Sequence, residues 1–414
     1  MSELNNIPKH WQVKKLKSIS DSIQYGYTES SSQEEIGPRF LRITDIQDNK
    51  VIWDNVPYCK IDEDIKAKYL LKDGDLVFAR TGATVGKSFL IKGNIPESVF
   101  ASYLIRVRVN KEIDDKYLYC FFQSPNYWNQ ISEGQVGIGQ PNVNGTKLEQ
   151  LDIPIPPLSE QLALVSKIEE LVSDLENGKQ QLLTAQQQLK VYRQSLLKVA
   201  FEGRLTNKEL KDGELPKAWK WMKIDEISNV VRGGSPRPAG DLRYYEGSIP
   251  FLKVRDITKD NNVYLSSFEH TIKEAGLLKT RQIKPNTLLL SNSGATLGVP
   301  KICMIEATMN DGIAAFLDLD QRSNLYLYYF WMSKTKELRN INMGAAQPNL
   351  NTDIIKNYVI PYCSFEEQQE IVEILESKLT VCDKIEETIA QSLLQAETLK
   401  QSILKKAFEG KLVC

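Results

Sequence analysis

A heptad pattern of apolar and small residues between residues 164 and 199 predicts a long amphipathic helix. Its members alternate in steps of four and three: Leu164, Ile168, Leu171, Leu175, Gly178, Leu182, Ala185, Leu189, Tyr192, Leu196 and Val199. This spacing is typical of a coiled-coil seam. A helix from Ser159 to about Phe201 is roughly 60 Å long at 1.5 Å per residue. Since one small domain cannot bury such a helix, we expect it to pack along a partner.

A second heptad pattern lies near the end of the chain, from about Ser364 to Phe408. Its apolar positions are Ile371, Leu375, Cys382, Ile385, Ile389, Ala396, Leu399 and Ile403, and Lys378 and Ser392 interrupt them. The expected partner of the first helix is therefore the second helix of the same chain. A parallel and an antiparallel pair both fit the pattern. The antiparallel pair is favoured because it lets the long segment between the helices return most simply.

The chain is an internal duplication. QSLLKVAFEGRLT at 194–206 and QSILKKAFEGKLV at 401–413 match at nine of thirteen positions, an offset of 207 residues. The pairs IPKHW and LPKAW, FLRITDI and FLKVRDI, and GQPNVN and AQPNLN follow in the same order in both halves. A period this long exceeds those of solenoid repeats, so it indicates two copies of a domain with its connecting helix. It also suggests a molecule with pseudo-twofold symmetry.

Each half begins with a segment of mixed helix and strand character. In the first half, the β-rich runs RFLRITDI, GDLVFARTG and YLIRVRV alternate with the turn signals KDGD and QPN. The stretch DDKYLYCFFQS predicts a helix with an aromatic apolar face. Prolines at 154, 156 and 157 force extended backbone, and Ser159, followed by Glu160 and Gln161, fits a helix N-cap.

These patterns predict an α+β protein with two tandem-duplicated mixed α/β domains, each followed by a long helix. The helices are expected to pair as an antiparallel coiled coil. The predicted boundaries are 1–157 for the first domain, 158–205 for the central helix, 206–362 for the second domain and 363–414 for the C-terminal helix.

Composition narrows the class of protein. The 414 residues are 42% apolar and 25% charged, as in ordinary globular proteins. No apolar run reaches the roughly eighteen residues of a membrane span, and the start MSELNNIPKHW lacks signal-peptide features. Six cysteines without a C-x-x-C pair indicate reduced thiols, so we expect a cytoplasmic protein. With His10 and His270 as the sole histidines, no metal site is expected.

The stretch GATVGKS at 82–88 resembles a phosphate-binding loop but is one residue too short. Its counterpart in the second half, GATLGVP at 294–300, lacks the lysine and the serine. A glycine-bearing turn between two strands is therefore the favoured interpretation. No nucleophile elbow and no dinucleotide-binding unit is found, so no catalytic residue is predicted.

Polar and aromatic residues in predicted loops and strand ends are the candidates for contacting phosphates or base edges. In the first half they are Tyr25, Tyr27, Arg39, Arg42, Arg80, Thr81, Thr84, Lys87, Gln140 and Asn142. In the second half they are Arg232, Arg237, Arg243, Lys253, Arg255, Asn292, Ser293, Thr296, Gln347 and Asn349. For each of them, a surface charge or turn residue satisfied by its neighbours is the alternative interpretation. The formal net charge of −1 counts against nucleic-acid binding without excluding it.

Several of these features together resemble a known family. IPIPPLSEQ at the start of a long helix, the two AFEG-containing helix ends, DGDLVFARTG and the IPKHW-type start of each half are similar to the specificity subunit of type I restriction-modification systems. The resemblance covers essentially the whole chain in both copies. VIPYCSFEEQ in the second half departs from DIPIPPLSEQ in the first by losing two prolines, which bears on the angle of the second domain.

The resemblance implies that the two domains are target recognition domains, each reading one half of a bipartite DNA sequence, while the helices set the gap. Residues up to about 157 then read the 5′ half, and residues from about 206 to 362 read the other. Expected partners are double-stranded DNA, two modification subunits that bind S-adenosylmethionine and methylate adenine, and restriction subunits that use ATP and Mg²⁺. This chain itself is expected to bind no cofactor.

Two alternatives remain at this point. A two-headed coiled-coil scaffold joining other proteins fits the slight acidity of the chain. An enzyme using the short glycine loop is the other, and it requires Lys87 for nucleotide binding.

Overall fold

The computed structural model describes residues 7–47, 49–82, 84–132, 142–207, 209–211, 213–294, 296–341 and 350–412. The chain divides into two compact units: unit 1 comprises Met1–Leu183 and Ala390–Cys414, and unit 2 comprises Thr184–Ile389. Each unit joins one globular domain to the first part of the helix that follows it and to the last part of the other long helix. The compact units thus cut across the predicted boundaries, because each long helix is divided between them.

Unit 1 contains the first mixed domain. Its strands are β1 (Gln12–Lys15), β2 (Ser20–Tyr25), β3 (Arg39–Leu41), β4 (Ile46–Gln47), β5 (Lys50–Val51), β6 (Leu76–Ala79), β7 (Ser88–Leu90), β8 (Ser98–Phe100), β9 (Leu104–Val109) and β10 (Asp152–Ile155). Its helices are α1 (Glu63–Tyr69), α2 (Asp115–Phe121), α3 (Pro125–Ser132), α4 (Gly145–Glu149) and the start of α5 (Leu158–Phe201). An antiparallel sheet in the order β2-β9-β6-β7 forms its centre. Strands β3 and β8 pair in parallel, and β1 and β10 pair antiparallel.

The core of unit 1 follows from the predicted patterns. All four residues of β6 are buried because both faces of the sheet are covered. The aromatic stretch forms α2, whose N-cap Asp114 accepts a hydrogen bond from the Tyr117 amide. Tyr117 and Phe121 then lie buried in the core, so the predicted aromatic helix is confirmed.

Unit 2 repeats this plan. Its strands are β11 (Lys220–Lys223), β12 (Asn229–Arg232), β13 (Tyr245–Leu252), β14 (Tyr264–Leu265), β15 (Thr271–Ile272), β16 (Arg281–Ile283), β17 (Thr287–Ser291), β18 (Pro300–Cys303), β19 (Ala307–Met309), β20 (Ile313–Leu317) and β21 (Val359–Tyr362). Its helices are α6 (Val254–Thr258), α7 (Asn324–Ile341), α8 (Thr352–Lys356) and the start of α9 (Phe365–Phe408). The order β12-β20-β17-β18, extended by β14, matches the order β2-β9-β6-β7 of unit 1. A second sheet has the order β15-β13-β19-β16. The duplicated sequence thus gives a duplicated sheet order.

The C-terminal ends of the two long helices pack into the hydrophobic cores of the units. In unit 1, Phe408 of α9 packs against Phe121 with ring centroids 5.2 Å apart, and both side chains are buried. The helix ends at Phe408, and Gly410 in the turn that follows has φ +69°. A Cβ at Gly410 would lie 2.2 Å from Cγ of Pro8. In unit 2, Phe201 and Gly203 (φ +76°) repeat this arrangement. The repeated AFEG and Pro-Lys-x-Trp motifs are therefore two halves of one packing contact.

The two long helices run antiparallel, as predicted. In unit 1, Lys400 Nζ lies 3.2 Å from the Glu176 carboxylate and Lys179 Nζ lies 3.5 Å from that of Glu397. A later residue of α5 thus meets an earlier residue of α9. In unit 2, Arg193 lies 2.6 Å from the carboxylate of Asp383.

Burial along the predicted seam depends on position. The buried members are Leu164, Ile168, Leu196, Ile371, Leu375, Cys382, Ile389 and Ile403. The half-buried ones are Leu171, Leu175, Gly178, Leu182, Ala185, Leu189, Val199 and Ala396. Ile385 and Leu399 are instead 43% and 50% exposed, and Tyr192 is 46% exposed. Five of the buried positions lie where a helix also contacts a globular core: Leu164, Ile168, Leu196, Ile371 and Leu375. Cys382, Ile389 and Ile403 are buried without belonging to either of these core clusters.

The start of α5 differs from the predicted N-cap. Ser159 lies inside the helix, which begins at Leu158. The backbone carbonyl of Pro157 accepts hydrogen bonds from the amides of Glu160 and Gln161 at 2.9 and 3.0 Å. Proline occupies this position readily because a residue before the helix needs no amide of its own. In α9, Ser364 does precede the helix, and its hydroxyl accepts from the Glu367 amide at 3.3 Å.

We predict that Gly410→Ala destabilises the protein by at least about 1 kcal/mol, because alanine is strained at positive φ. The Cβ would also collide with Pro8. The matched control is Gly178→Ala within α5, where a Cβ would meet no atom within 4 Å. This change should stabilise by about 0.5 to 1 kcal/mol through helix propensity. Urea unfolding of both variants measures the difference, and equal effects would contradict the packing described.

A second pair of variants tests the seam. Leu375→Ala removes a fully buried side chain from the core of unit 2 and should cost about 2 to 5 kcal/mol. Leu399→Ala changes a heptad position that is half exposed and should cost less than about 1 kcal/mol. Urea titration followed by circular dichroism separates the two outcomes. Similar losses for both would show a continuously buried seam.

Candidate nucleic-acid interface

The short glycine loop is a hairpin turn between β6 and β7. The Ala79 amide donates to the Lys87 carbonyl at 2.9 Å, and the Gly86 amide donates to the Ala79 carbonyl at 2.8 Å. Gly82 and Gly86 have φ of +83° and +81°, which explains why glycine is needed. A phosphate-binding loop leads from a strand into a helix, whereas this turn leads into a second strand. The predicted turn is confirmed.

Tyr25, Arg80 and Tyr103 lie together at one edge of the central sheet of unit 1. Tyr25 is the last residue of β2, Arg80 follows β6 and Tyr103 precedes β9. These strand ends meet at that edge because the strands are antiparallel. The Arg80 guanidinium carbon lies 5.1 Å from the centroid of the Tyr25 ring, and the Arg80 amide donates to the Tyr103 carbonyl at 3.0 Å. The Tyr25 hydroxyl accepts a hydrogen bond from the Gly145 amide at 2.7 Å. These contacts hold an arginine on an aromatic face, an arrangement suited to bases and phosphates.

Tyr27 and Arg42 form the adjoining surface. Together with Tyr103 they line a cavity of about 320 Å³. Arg42 donates from Nε and Nη2 to the two carboxylate oxygens of Asp45 at 3.1 and 2.8 Å, which fixes its guanidinium plane. These hydrogen bonds raise the pKa of Arg42. The Arg42 guanidinium, held in a fixed orientation, therefore forms part of the wall of this cavity.

Arg39 does not join this surface. Its Nη1 donates to the backbone carbonyls of Asp54 and Val56 at 3.2 and 2.6 Å, and its guanidinium stacks on the Tyr58 ring at 4.1 Å. The side chain therefore joins β3 to the segment that follows β5. Arg39 is therefore a charge satisfied by its neighbours, which was the alternative interpretation of this residue.

The remaining candidates of unit 1 lie near the hairpin. Thr84 and the exposed Lys87 line a cavity of about 490 Å³, and Thr81 is half-buried. Asn142 is exposed, and the amide of its neighbour Val143 donates to the Arg80 carbonyl at 3.0 Å, which places it beside the Tyr25 cluster. Gln140 lies outside the described residues.

In unit 2, two arginines surround the turn between β19 and β20. Arg232 Nε donates to the Asp311 carbonyl at 2.6 Å, and Arg237 lies 3.7 Å from the Asp311 carboxylate. Ser235 donates from its hydroxyl to the same carboxylate at 2.7 Å. The side chain of Arg237 is 71% exposed, so this ion pair is weak and leaves its cation open to an anion.

Asn292 occupies the position of Arg80 in the second copy. Its amide N–H donates to the Gly312 carbonyl at 2.9 Å, and its side chain is fully buried. Within the described part of the chain, its side-chain amide has no hydrogen-bond partner. A buried side chain cannot read a base directly in this state. Ser293 is half-buried and Thr296 exposed, while Gln347 and Asn349 lie outside the described residues.

Three more predicted cations lie on the surface of unit 2. Arg243 binds both carboxylate oxygens of Asp241 and lowers the pKa of that carboxyl to about 2. Arg255 is 81% exposed and lies 3.8 Å from the Glu269 carboxylate. Lys253 precedes α6, where its amide donates to Asp256 at 2.8 Å. The two exposed ion pairs, those of Arg243 and Arg255, contribute little to stability.

Sequence reasoning missed Tyr103 and Asp311. Tyr103 is 62% exposed immediately before β9, and the run YLIRVRV predicted the strand but not the contact of Tyr103 with Arg80. Asp311 organises the arginine cluster of unit 2, yet nothing in its local sequence distinguishes it from other acidic turn residues. Both depend on residues distant in the chain.

The described residues hold no group of three or more histidine, cysteine or acidic side chains arranged to bind a metal ion. Among the described helices, none combines the length and apolarity needed to cross a membrane.

Comparison with known proteins identifies the relatives of the chain. The sequence profile of the family described as type I restriction modification DNA specificity domain matches residues 8–185 and again residues 216–395. The putative type I restriction enzyme MjaX specificity subunit of Methanocaldococcus jannaschii is 25% identical, over 99% of this chain and 96% of its own length.

Two solved structures share the fold. A chain from work on complex assembly and conformational transition of the type I R-M system has a TM-score of 0.76 at 21% identity, covering 98% of this chain and 99% of its own. The HsdS subunit from Thermoanaerobacter tengcongensis has a TM-score of 0.64 at 20% identity, covering 98% of each chain. With its duplicated domain and the two profile matches, this chain belongs to the family of type I restriction-modification specificity subunits.

Proposed function

We propose that this chain supplies DNA recognition to a type I restriction-modification complex, with each unit reading one half of a bipartite target. The observation that carries the proposal is the match of the DNA specificity domain to both halves. The aromatic and basic surface at the sheet edge of unit 1 supports it, because such side chains contact bases and phosphates. Two readers in one chain fit a target with two half-sites.

The chemistry is proposed to lie on partner subunits, and this chain to be non-catalytic. Two modification subunits would bind S-adenosylmethionine and methylate adenine, while restriction subunits would use ATP and Mg²⁺. The helices offer surface for docking: Val191, Val381 and Leu394 are 59%, 55% and 70% exposed. Each of these side chains is a candidate contact for a partner subunit. The helices would also set the gap between the half-sites.

Methylome sequencing tests the proposal. A host expressing this chain with its modification subunits should acquire methyladenine in a new bipartite motif on both strands. The control host lacks this chain alone. Replacing residues 1–157 with those of another specificity subunit should change one half of the motif and preserve the other. An assembled, active methyltransferase without a motif would exclude the recognition role and favour a scaffold.

Arg80 and Arg39 give a sharper test within unit 1. Arg80→Gln in the assembled complex should relax one half of the motif and weaken binding by about 1 to 3 kcal/mol, as for loss of one arginine contact. Arg39→Gln should leave the motif intact and instead lower the free energy of unfolding by about 1 to 3 kcal/mol, since its hydrogen bonds are internal. Fluorescence anisotropy with cognate and altered duplexes measures the first effect, and urea unfolding measures the second. The reverse outcome would place Arg39 at the DNA.

A further inference from the structure

The segment 273–284 of unit 2 carries a basic excess outside the candidate residues described above. It contains four cations and one acid, Glu274, whereas the whole chain has a net charge of −1. The four cations are exposed and are Lys273, Lys279, Arg281 and Lys284. Among the residues that the structure describes, none of the four has a carboxylate within ion-pair distance. Lys273 Nζ instead donates to the backbone carbonyl of Leu242 at 2.8 Å. Cations without a carboxylate partner on a near-neutral chain form a local site for a polyanion.

The segment is fixed against the arginine loop of the candidate interface. The Thr280 hydroxyl donates to the Met309 carbonyl at 2.8 Å, and the Gly234 amide donates to the same carbonyl at 3.0 Å. A Cβ at Gly234 would lie 2.6 Å from the Lys279 carbonyl oxygen, which shows how closely the two backbones approach. The cations of the segment therefore adjoin the loop that presents Arg232 and Arg237.

An aromatic ring orients part of this surface. Lys279 Nζ donates to the Tyr244 hydroxyl at 2.9 Å and lies 4.2 Å from the ring centroid, and the Arg243 guanidinium carbon lies 5.5 Å from it. The hydrogen bond from Lys279 lowers the pKa of Tyr244. The Tyr244 ring therefore restrains Lys279 without neutralising it, whereas Arg243 is already paired with Asp241.

Leu278 stands out within this basic segment because it is 98% exposed. Its neighbour Leu277 packs against the cluster of Tyr245, Phe251 and Ile272, so the turn is anchored without Leu278. Isolated exposed leucines are common on protein surfaces. An anchored one flanked by unpaired cations matches the apolar wedges that enter the DNA minor groove and unstack a base step, while cations hold the flanking phosphates.

We propose that residues 273–284 form a further DNA-contacting element of unit 2. Lys279 and Arg281 bind phosphates, and Leu278 inserts at a base step from the minor groove. This inference rests on the proposed DNA-recognition function of the chain. The proposed contact of Leu278 deforms the duplex. Unit 2 should therefore favour DNA sequences that unstack easily, such as pyrimidine–purine steps.

The phosphate contacts are tested in the complex with modification subunits, on a duplex carrying the methylated motif and on a random duplex. Lys279→Gln and Arg281→Gln should each reduce the slope of log K against log salt by about 0.9 and weaken binding to both duplexes. The matched control is Arg322→Gln, since Arg322 is exposed but paired with Asp320 at 2.8 Å. It should leave the slope unchanged. Slopes equal to that of the unaltered complex for all three variants would overturn the phosphate assignment.

The wedge is tested with 2-aminopurine placed at successive steps of the half-site that unit 2 reads. The unaltered complex should raise the fluorescence at one step, and Leu278→Ala should abolish that rise, weaken cognate binding about tenfold and keep the salt slope. Leu162→Ala, which alters a 52% exposed leucine of α5, is the control and should change neither signal. Because Leu278 is fully exposed, its variant should fold normally.

The two proposals fail in different ways. Selective binding by the unaltered complex, combined with unchanged fluorescence and affinity for Leu278→Ala, would overturn the wedge and leave the recognition function standing. Absence of selective binding by the unaltered complex would overturn the recognition function itself.

Discussion

Burial of the apolar faces of two 44-residue helices is the constraint on which the structure depends. Each helix is too long for one small domain to cover, and its partner helix covers it only in part. Its ends are therefore buried in globular cores: the start of α5 packs in unit 1, where Leu164 is 1% exposed, and its end packs in unit 2, where Ala200 is fully buried. The hydrophobic effect thus makes each helix an integral part of two cores.

This constraint accounts for the motifs that recur in both halves. Phe201 and Phe408 fill equivalent aromatic pockets, and the glycine two residues later allows the chain to turn with positive φ beneath a proline. A side chain at either glycine would meet that proline, so glycine is required there. The helix ends and the start of each domain are consequently repeated together, whereas the loops that face outward differ between the halves.

The net charge of the chain does not describe its local charged surfaces. The near-zero net charge of the chain conceals local differences, because many cations are paired with carboxylates while those at 273–284 are not. Binding to a polyanion depends on the local arrangement within about a Debye length, roughly 8 to 10 Å in ordinary salt, and little on the sum over the chain. A slightly acidic chain is therefore compatible with DNA recognition.

The sequence alone determined the duplication, the two helices, their antiparallel pairing, the hairpin at the glycine loop and the family. These features depend on periodicity, turn chemistry and repeated motifs, all of which are local or are visible by comparing the halves. The exposure of individual candidates could not be predicted in this way. Arg39 and Arg80 are both arginines at the ends of β-rich runs, so the sequence does not distinguish them. In the structure, the carbonyls of Asp54 and Val56 accept hydrogen bonds from Arg39, whereas Arg80 packs on the ring of Tyr25. The same holds for Asn292, which is buried, and for Leu278, which is exposed. Only the tertiary structure decided these cases, because each depends on partners brought together from distant parts of the chain.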